Sequence, residues 1–327
     1  MNILFAVQGT GNGHLSRARE FIPHLLSHGQ VDLLISGTHA EVSAGIVPAY
    51  QLTGLGFKFG TNGGINILES LRSAQPIQFI RDARALPLHK YDLIINDFEP
   101  VSALAARFQG RKIIGLSHQA AFLSPHTPRP RGKKNSFAEW VFKNYAPCQH
   151  HIAFHFKSYD SFIETPVIRS EIRQLSAEKG AHCTVYLPAY GDQIVINHLK
   201  KVKNMQWHVF SKHSHNAYQI ENVLIHPINN VTFLQSLSNA YGLLTGGGFE
   251  SPAEALFLGK HLFVIPMHNQ WEQQCNAAAL LEMGVGTTAE ITHHFSAQIN
   301  AWLKLPAPEK TNYPNHSHAI IEKIVSF

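Results

Sequence analysis

Short, unbroken apolar runs alternate with stretches of helical periodicity from one end of the chain to the other. In the first half the runs fall at residues 3–7, 31–36, 92–96, 112–116 and 151–156; in the second they fall at 183–187, 207–210, 223–226, 241–244 and 262–265. A strand with one wet face alternates apolar and polar positions. These runs do not, so both faces are covered, as in parallel sheets with crossover helices. Their shortness and the flanking Gly, Pro and Asn favour strands over buried helix segments. The two successive sets predict an α/β chain of two doubly wound, Rossmann-like parallel-sheet domains facing a cleft. The boundary is expected within residues 157–182, where Pro166 and a charged stretch from Arg169 to Lys179 precede the next strand. This gives domains at 1–165 and 166–315. Pro306, Pro308 and Pro314 then lead to a closing segment, 316–327, expected as a helix that packs back on the first domain. Ligands of open α/β sheets bind beyond the carboxyl ends of the strands, which places function in the cleft.

Composition narrows the class. A chain of 327 residues suits two domains, and 44% apolar with 15% charged residues supports a full core rather than disorder. Cys148, Cys183 and Cys275 have no CxxC spacing, which argues against a disulfide framework or zinc ribbon and fits the reducing cytoplasm. The opening Met-Asn-Ile-Leu-Phe-Ala-Val lacks a basic start and reads as a first strand, not a signal peptide. No apolar run approaches the ~20 residues needed to cross a bilayer. The 22 histidines are scattered, without HExxH or other regular metal-ligand spacing, so no metal site is expected.

Two glycine loops carry the candidate chemistry. The run 241–244 empties into Gly246, Gly247 and Gly248, and a helix with Glu254 in its first turns follows. A glycine turn at a helix N-terminus offers free N–H groups and the positive end of the helix dipole to phosphate. A carboxylate one turn later can accept hydrogen bonds from sugar hydroxyls, so the pattern suggests a phosphorylated sugar or nucleotide. In the first half, residues 9–14 read Gly-Thr-Gly-Asn-Gly-His. The spacing is GxGxGH, and the run 31–36 ends in Ser-Gly-Thr without the acid that would bind a ribose, so a dinucleotide fingerprint fails on both counts. His14, where a strand turns into a helix, is a candidate general base or else a helix-capping residue. The run 92–96 closes with Asp97 and Glu99 before Pro100. Either carboxylate can orient His14 or bind an acceptor hydroxyl; the alternative is an N-cap for the helix opening near Pro100.

With both loops placed, the chain resembles the GT-B-fold glycosyltransferases. It is most similar to the branch containing the N-acetylglucosaminyltransferase of peptidoglycan-lipid synthesis and the UDP-glucuronosyl/glucosyltransferases. Gly246, Gly248, Ser251 and Glu254 match that branch's donor turn, Glu272, Gln273, Asn276 and Ala277 match its sugar-contacting segment, and His14 matches its catalytic histidine. The resemblance implies a donor diphosphate at Gly246, Gly247, Gly248, Phe249 and Ser251, with Glu254 on the ribose. It implies the donor sugar at Asn269, Gln270, Glu272 and Gln273, and the base near Phe210 and Ile228. The acceptor would lie by Gly11, Asn12, Gly13, Glu99 and His118. Two departures stand out: the segment between Pro266 and Glu272 is longer, and residues 188–192 (Pro-Ala-Tyr-Gly-Asp) are not the usual Gly-Gly-Ser loop.

The implied reaction is inverting transfer from a nucleoside-diphosphate sugar, by family default UDP-linked. His14 would deprotonate the acceptor and Asp97 would orient it. No Asp-x-Asp motif stands out, so neither a metal nor another cofactor is implied. One rival is a nucleotide-sugar 2-epimerase on the same fold, for which Asp97, Glu99 and His118 are natural candidates. Another is a non-catalytic nucleotide-sugar-binding subunit. Arg129, Arg131, Lys133 and Lys134, followed by Phe137, Trp140, Val141, Phe142 and Tyr145, suggest peripheral contact of 129–145 with the inner face of a membrane. The same residues also fit a solvated loop before an ordinary amphipathic helix. No nucleic-acid module accompanies the basic group.

Overall fold

The computed structural model describes residues 1–37, 43–54, 75–288 and 290–327. The first half builds one sheet from β1 (Asn2–Gln8), β2 (Gln30–Ser36), β3 (Tyr50–Leu52), β4 (Leu93–Asp97), β5 (Ile114–Ser117), β6 (His150–Phe154) and β7 (Ile163–Glu164). Its order is β3-β2-β1-β4-β5-β6-β7, with every pair parallel. The second half contributes β8 (His182–Tyr186), β9 (Gln206–Ser211), β10 (Tyr218–Ile220), β11 (Val223–Pro227), β12 (Gly242–Gly246), β13 (His261–Ile265) and β14 (Gly286–Thr287). These run β10-β11-β9-β8-β12-β13-β14, parallel except for the β10–β11 hairpin at one edge. All ten expected strands are present to within two residues. The two sheets share an order, with β1 and β8, β4 and β12, and β5 and β13 in corresponding places.

Burial explains why the strands read as continuous apolar runs. Ile3, Phe5 and Val7 of β1 pack with Leu15, Phe21, Ile22 and Leu25 of the Asn12–Leu26 helix. Leu4 and Ala6, pointing the other way, pack with Leu88, Val101 and Ala105. In the second sheet Leu243 and Leu244, and Leu262 and Phe263, divide between two apolar clusters in the same manner. The largest cluster is shared by both halves: Phe154, Phe156 and Ile168 belong to it together with Phe249 and Leu262. The Ser317–Val325 helix lies against the Asn12–Leu26 helix through Ile320, Ile321 and Ile324. Among the described residues no helix is long and apolar enough to cross a membrane.

Candidate active site

The register brings the first-half chemistry together. Val7 of β1 pairs with Asp97 at the end of β4, so the loop after Gln8 and the start of the Asn12–Leu26 helix emerge beside the Asp97 carboxylate. His14 Nδ1 lies 2.8 Å from Asp97 Oδ1. Arg17, one helical turn on, donates through Nη2 to both Asp97 oxygens at 2.8 and 2.7 Å. Asp97 is fully buried and Arg17 is 4% exposed. Burial alone raises the Asp97 carboxyl, but the Arg17 guanidinium and the hydrogen bonds from His14 and Arg17 outweigh it and hold the group below the usual carboxylate range. An ionised Asp97 accepts the Nδ1 proton of His14 and leaves the Nε2 lone pair for the cavity, where the Gln119 amide approaches it at 3.4 Å. His14, Arg17 and Gln119 all line that cavity.

Glu99 takes the other role. Its carboxylate accepts from the backbone N–H groups of Val101 (2.7 Å) and Ser102 (2.6 Å), capping the Pro100–Gln109 helix with Pro100 in the first turn. Glu99 is fully buried and absent from the cavity wall, which corrects its expected place beside the acceptor. Phe98, between the two carboxylates, has φ 53°, an uncommon conformation for a side chain of its size. The tight turn aims Asp97 at His14 and Glu99 back into the helix.

In the second half, β12 ends at Gly246 and the Glu250–Phe257 helix begins four residues later without a side-chain cap. Gly247 is required by close approach: a Cβ there would lie 2.8 Å from Gln273 Cβ and 3.0 Å from Pro266 Cα. At Gly248 an added Cβ would meet nothing within 4 Å. The Gln273 Oε1 atom accepts from the N–H groups of Gly247 (3.2 Å) and Met267 (2.9 Å), so it braces the turn. Glu272 accepts from Gln119 Nε2 at 3.1 Å, linking it to the His14 side of the cavity. Gln270 is half-buried and exposed Asn269 bonds to His268; both line the cavity.

The halves meet around a cavity of about 1410 Å³. Its wall takes Gly11, Gly13, His14, Arg17 and His118 from one half and Gly248, Phe249, Glu250, Asn269, Gln270, Glu272 and Gln273 from the other. Arg17 Nη1 donates to Glu250 Oε1 at 2.5 Å across the cleft. His118 is buried; its ring stacks on Phe249 at 4.0 Å and its nitrogens face Phe154 O and Asn276 Oδ1 at 2.8 and 2.9 Å. Burial pushes its pKa down. The neutral ring has one N–H to give to one of these two acceptors, and its stacking on Phe249 ties the two halves together. At the mouth, Trp271 Nε1 donates to Glu139 Oε1 at 2.8 Å, and Arg129 grips the same carboxylate through Nε and Nη2.

Other expected site residues lie apart from the cavity wall. Glu254 is 3% exposed, and Arg169 holds both its oxygens at 2.5 and 2.9 Å. Gly246 and Ser251 are half-buried and Gly247 is buried, behind Gly248 and Phe249, while Asn12 is half-buried in the first turn after Gly11. Phe210 stacks on His226 at 4.9 Å inside the second domain, and Ile228 is 40% exposed beyond β11. Sequence reasoning missed Arg17, Glu250 and Gln119. Arg17 offered one signal: it stands one turn after His14 on the same helix face. Among the described residues no group of three His, Cys, Asp or Glu side chains is placed to hold a metal ion.

Residues 1–306 match the model of glycosyl transferase family 1. The chain belongs to that family. This family-1 chain is a glycosyltransferase of GT-B fold. Its structure is similar to that of spinosyn forosaminyltransferase SpnP (TM-score 0.61, 13% identity, covering 100% of this chain and 98% of that one). It is similar also to MurG of Acinetobacter baumannii (0.59, 15%, covering 100% and 99%). A third similar structure is a UDP-glucosyltransferase of Polygonum tinctorium (0.60, 15%, covering 99% and 92%). At these identities the likeness shows a shared fold. No match is found among curated protein sequences.

Proposed function

We propose that this glycosyltransferase moves a sugar from a UDP-linked donor to an acceptor hydroxyl with inversion and without a metal ion. The observation that carries the reading is the His14–Asp97 pair, 2.8 Å apart, with the imidazole on the cavity wall opposite an uncapped helix N-terminus. His14 Nε2 takes the acceptor's proton while the acceptor oxygen forms its bond to the anomeric carbon. The carbon–oxygen bond to the diphosphate breaks on the opposite side, its electron pair leaving with the diphosphate. Asp97 stabilises the imidazolium that results. The N–H groups at the start of the Glu250–Phe257 helix and its dipole face the charge developing on the leaving group, which is the task otherwise given to a cation.

In this division of labour residues 1–165 hold the acceptor, 166–315 the donor, and 316–327 tie the ends together. A uridine donor is supported by the named activity of the Polygonum tinctorium relative. Glu254 would reach a ribose by exchanging Arg169 for the sugar hydroxyls. The proposal has the protein act in the cytoplasm, with 129–145 touching an anionic membrane surface. Arg131, Lys133 and Lys134 are exposed there, and Phe137 and Trp140 are 50% and 58% exposed, whereas Phe142 is buried. The epimerase reading is less supported, since Glu99 caps a helix and His118 is buried against Phe249, Phe154 O and Asn276.

A thermal-shift panel of nucleotide sugars tests the donor, with a UDP-sugar expected to raise Tm most. Incubation with that donor alone tests the reaction class: slow hydrolysis fits a transferase lacking its acceptor, and an epimerised sugar would overturn the proposal. NMR of the product's anomeric coupling reads inversion. Activity that survives EDTA reads metal independence.

A further inference from the structure

The Arg17–Glu250 bridge joins the base side of the cleft to the donor side. Glu250 stands in the first turn of the uncapped Glu250–Phe257 helix, where a donor diphosphate would seek N–H groups, and its carboxylate bends across to Arg17 Nη1 at 2.5 Å. The contact is close-fitted: a Cβ on Gly13 would lie 3.2 Å from Glu250 Cγ. Arg17 is 4% exposed and lines the cavity; among the described residues its Nη2 is taken by Asp97, its Nη1 pairs with Glu250, and its buried Nε has no partner. A buried guanidinium whose cleft-side Nη1 is held by a single carboxylate can exchange that carboxylate for phosphate.

We propose that Arg17 binds the donor's diphosphate and that Glu250 is its placeholder, a carboxylate that occupies the phosphate position and must yield when the donor enters. This rests on the donor reading above. Burial raises the Glu250 carboxyl to about 7, against the pull of Arg17 and with the repulsion of Glu254 and Asp97 added. The charged groups facing it are Arg17, His14 and Asp97 from the first half, and Glu254 and the Arg169 paired to it. An incoming diphosphate repels an ionised Glu250 and favours its protonated form, so donor binding takes up a proton. Affinity is therefore highest below pH 7 and falls as pH rises past it, approaching about tenfold per pH unit while Glu250 remains in place. His14 imposes the opposite demand on turnover, since it must be unprotonated to act as a base.

The test is calorimetric titration of the wild-type protein and the E250Q variant with UDP and with inorganic pyrophosphate, from pH 6 to 8.5. Both probes ionise in this range themselves, so the comparison is between the two proteins. At pH 8.5 E250Q is expected to bind both probes about tenfold more tightly than wild type, with a flatter pH profile and less proton uptake. In the E250Q background, R17K is expected to weaken both probes by about tenfold through loss of the planar fork. Equal or weaker binding by E250Q, or an unchanged pH profile, would overturn the placeholder role. If pyrophosphate responds as expected and UDP does not bind, the inference stands and the uridine donor falls. If the wild-type chain binds UDP and E250Q changes nothing, the donor stands and this inference falls.

Discussion

The turns that follow β4 and β12 hold the same place in their sheets, and both contain Phe-Glu at the mouth of a helix. They put that glutamate to opposite uses. After β4, Glu99 folds back onto two N–H groups and seals its helix, leaving Asp97 to act through its side chain. After β12, Glu250 lies within the first helical turn, its carboxylate reaches across the cleft to Arg17, and the helix end carries no side-chain cap. One turn satisfies its backbone and presents a carboxylate for base chemistry. The other keeps its backbone available for an anion. Capping state, more than strand order, separates the two turns.

The largest break in this contrast is removal of the side-chain chemistry at the first turn. H14A is expected to lower kcat by about 10³-fold with UDP affinity within about twofold of wild type. Unchanged turnover with a true acceptor would remove His14 as the base. D97N should cost on the order of 10² in kcat through loss of the orienting anion, and it should also lower Tm, because Arg17 loses its buried counter-charge. At the second turn, G247A drives a methyl into Gln273 and Pro266 and is expected to weaken UDP binding tenfold or more, read by calorimetry, with a loss of Tm. G248A, with open space around it, should leave Tm unchanged and isolate any effect on the donor. Removing the seal with E99Q is expected to cost about 1 kcal/mol of stability in denaturant melts with kcat intact. The smallest effect falls outside both turns: replacing Arg131, Lys133 and Lys134 by Ser should abolish sedimentation with anionic vesicles at low salt, and because the three also line the cavity, KM for a soluble acceptor is read beside it.

The central strands were legible because burial on both faces writes itself as unbroken apolar runs. The strands not foreseen, β3, β7, β10 and β14, are two or three residues long and lie at the four sheet edges, too short and too wet to write any pattern. Asp97 could be picked out because it ends a strand on the cleft side, and His14 because it stands in the first turn of the helix that follows one. Glu99 could not be assigned from sequence, since a carboxylate before Pro reads equally as cap and as ligand; the φ of Phe98 decides it. Arg17 and Glu250 look like ordinary solvated charges on their helices. They become a site only when two halves 233 residues apart in sequence are laid face to face.

The Trp271–Glu139 contact gives the enzyme an optical gauge of its own. Trp271 belongs to one half and Glu139 to the other, and the indole is 6% exposed while they touch. Any parting of the halves wets that ring and shifts its emission to the red, whereas Trp207 and Trp302, buried in the second domain, stay silent. With the exposed Trp140 changed to Phe to clear the background, stopped flow without an attached dye reads whether the cleft opens during turnover.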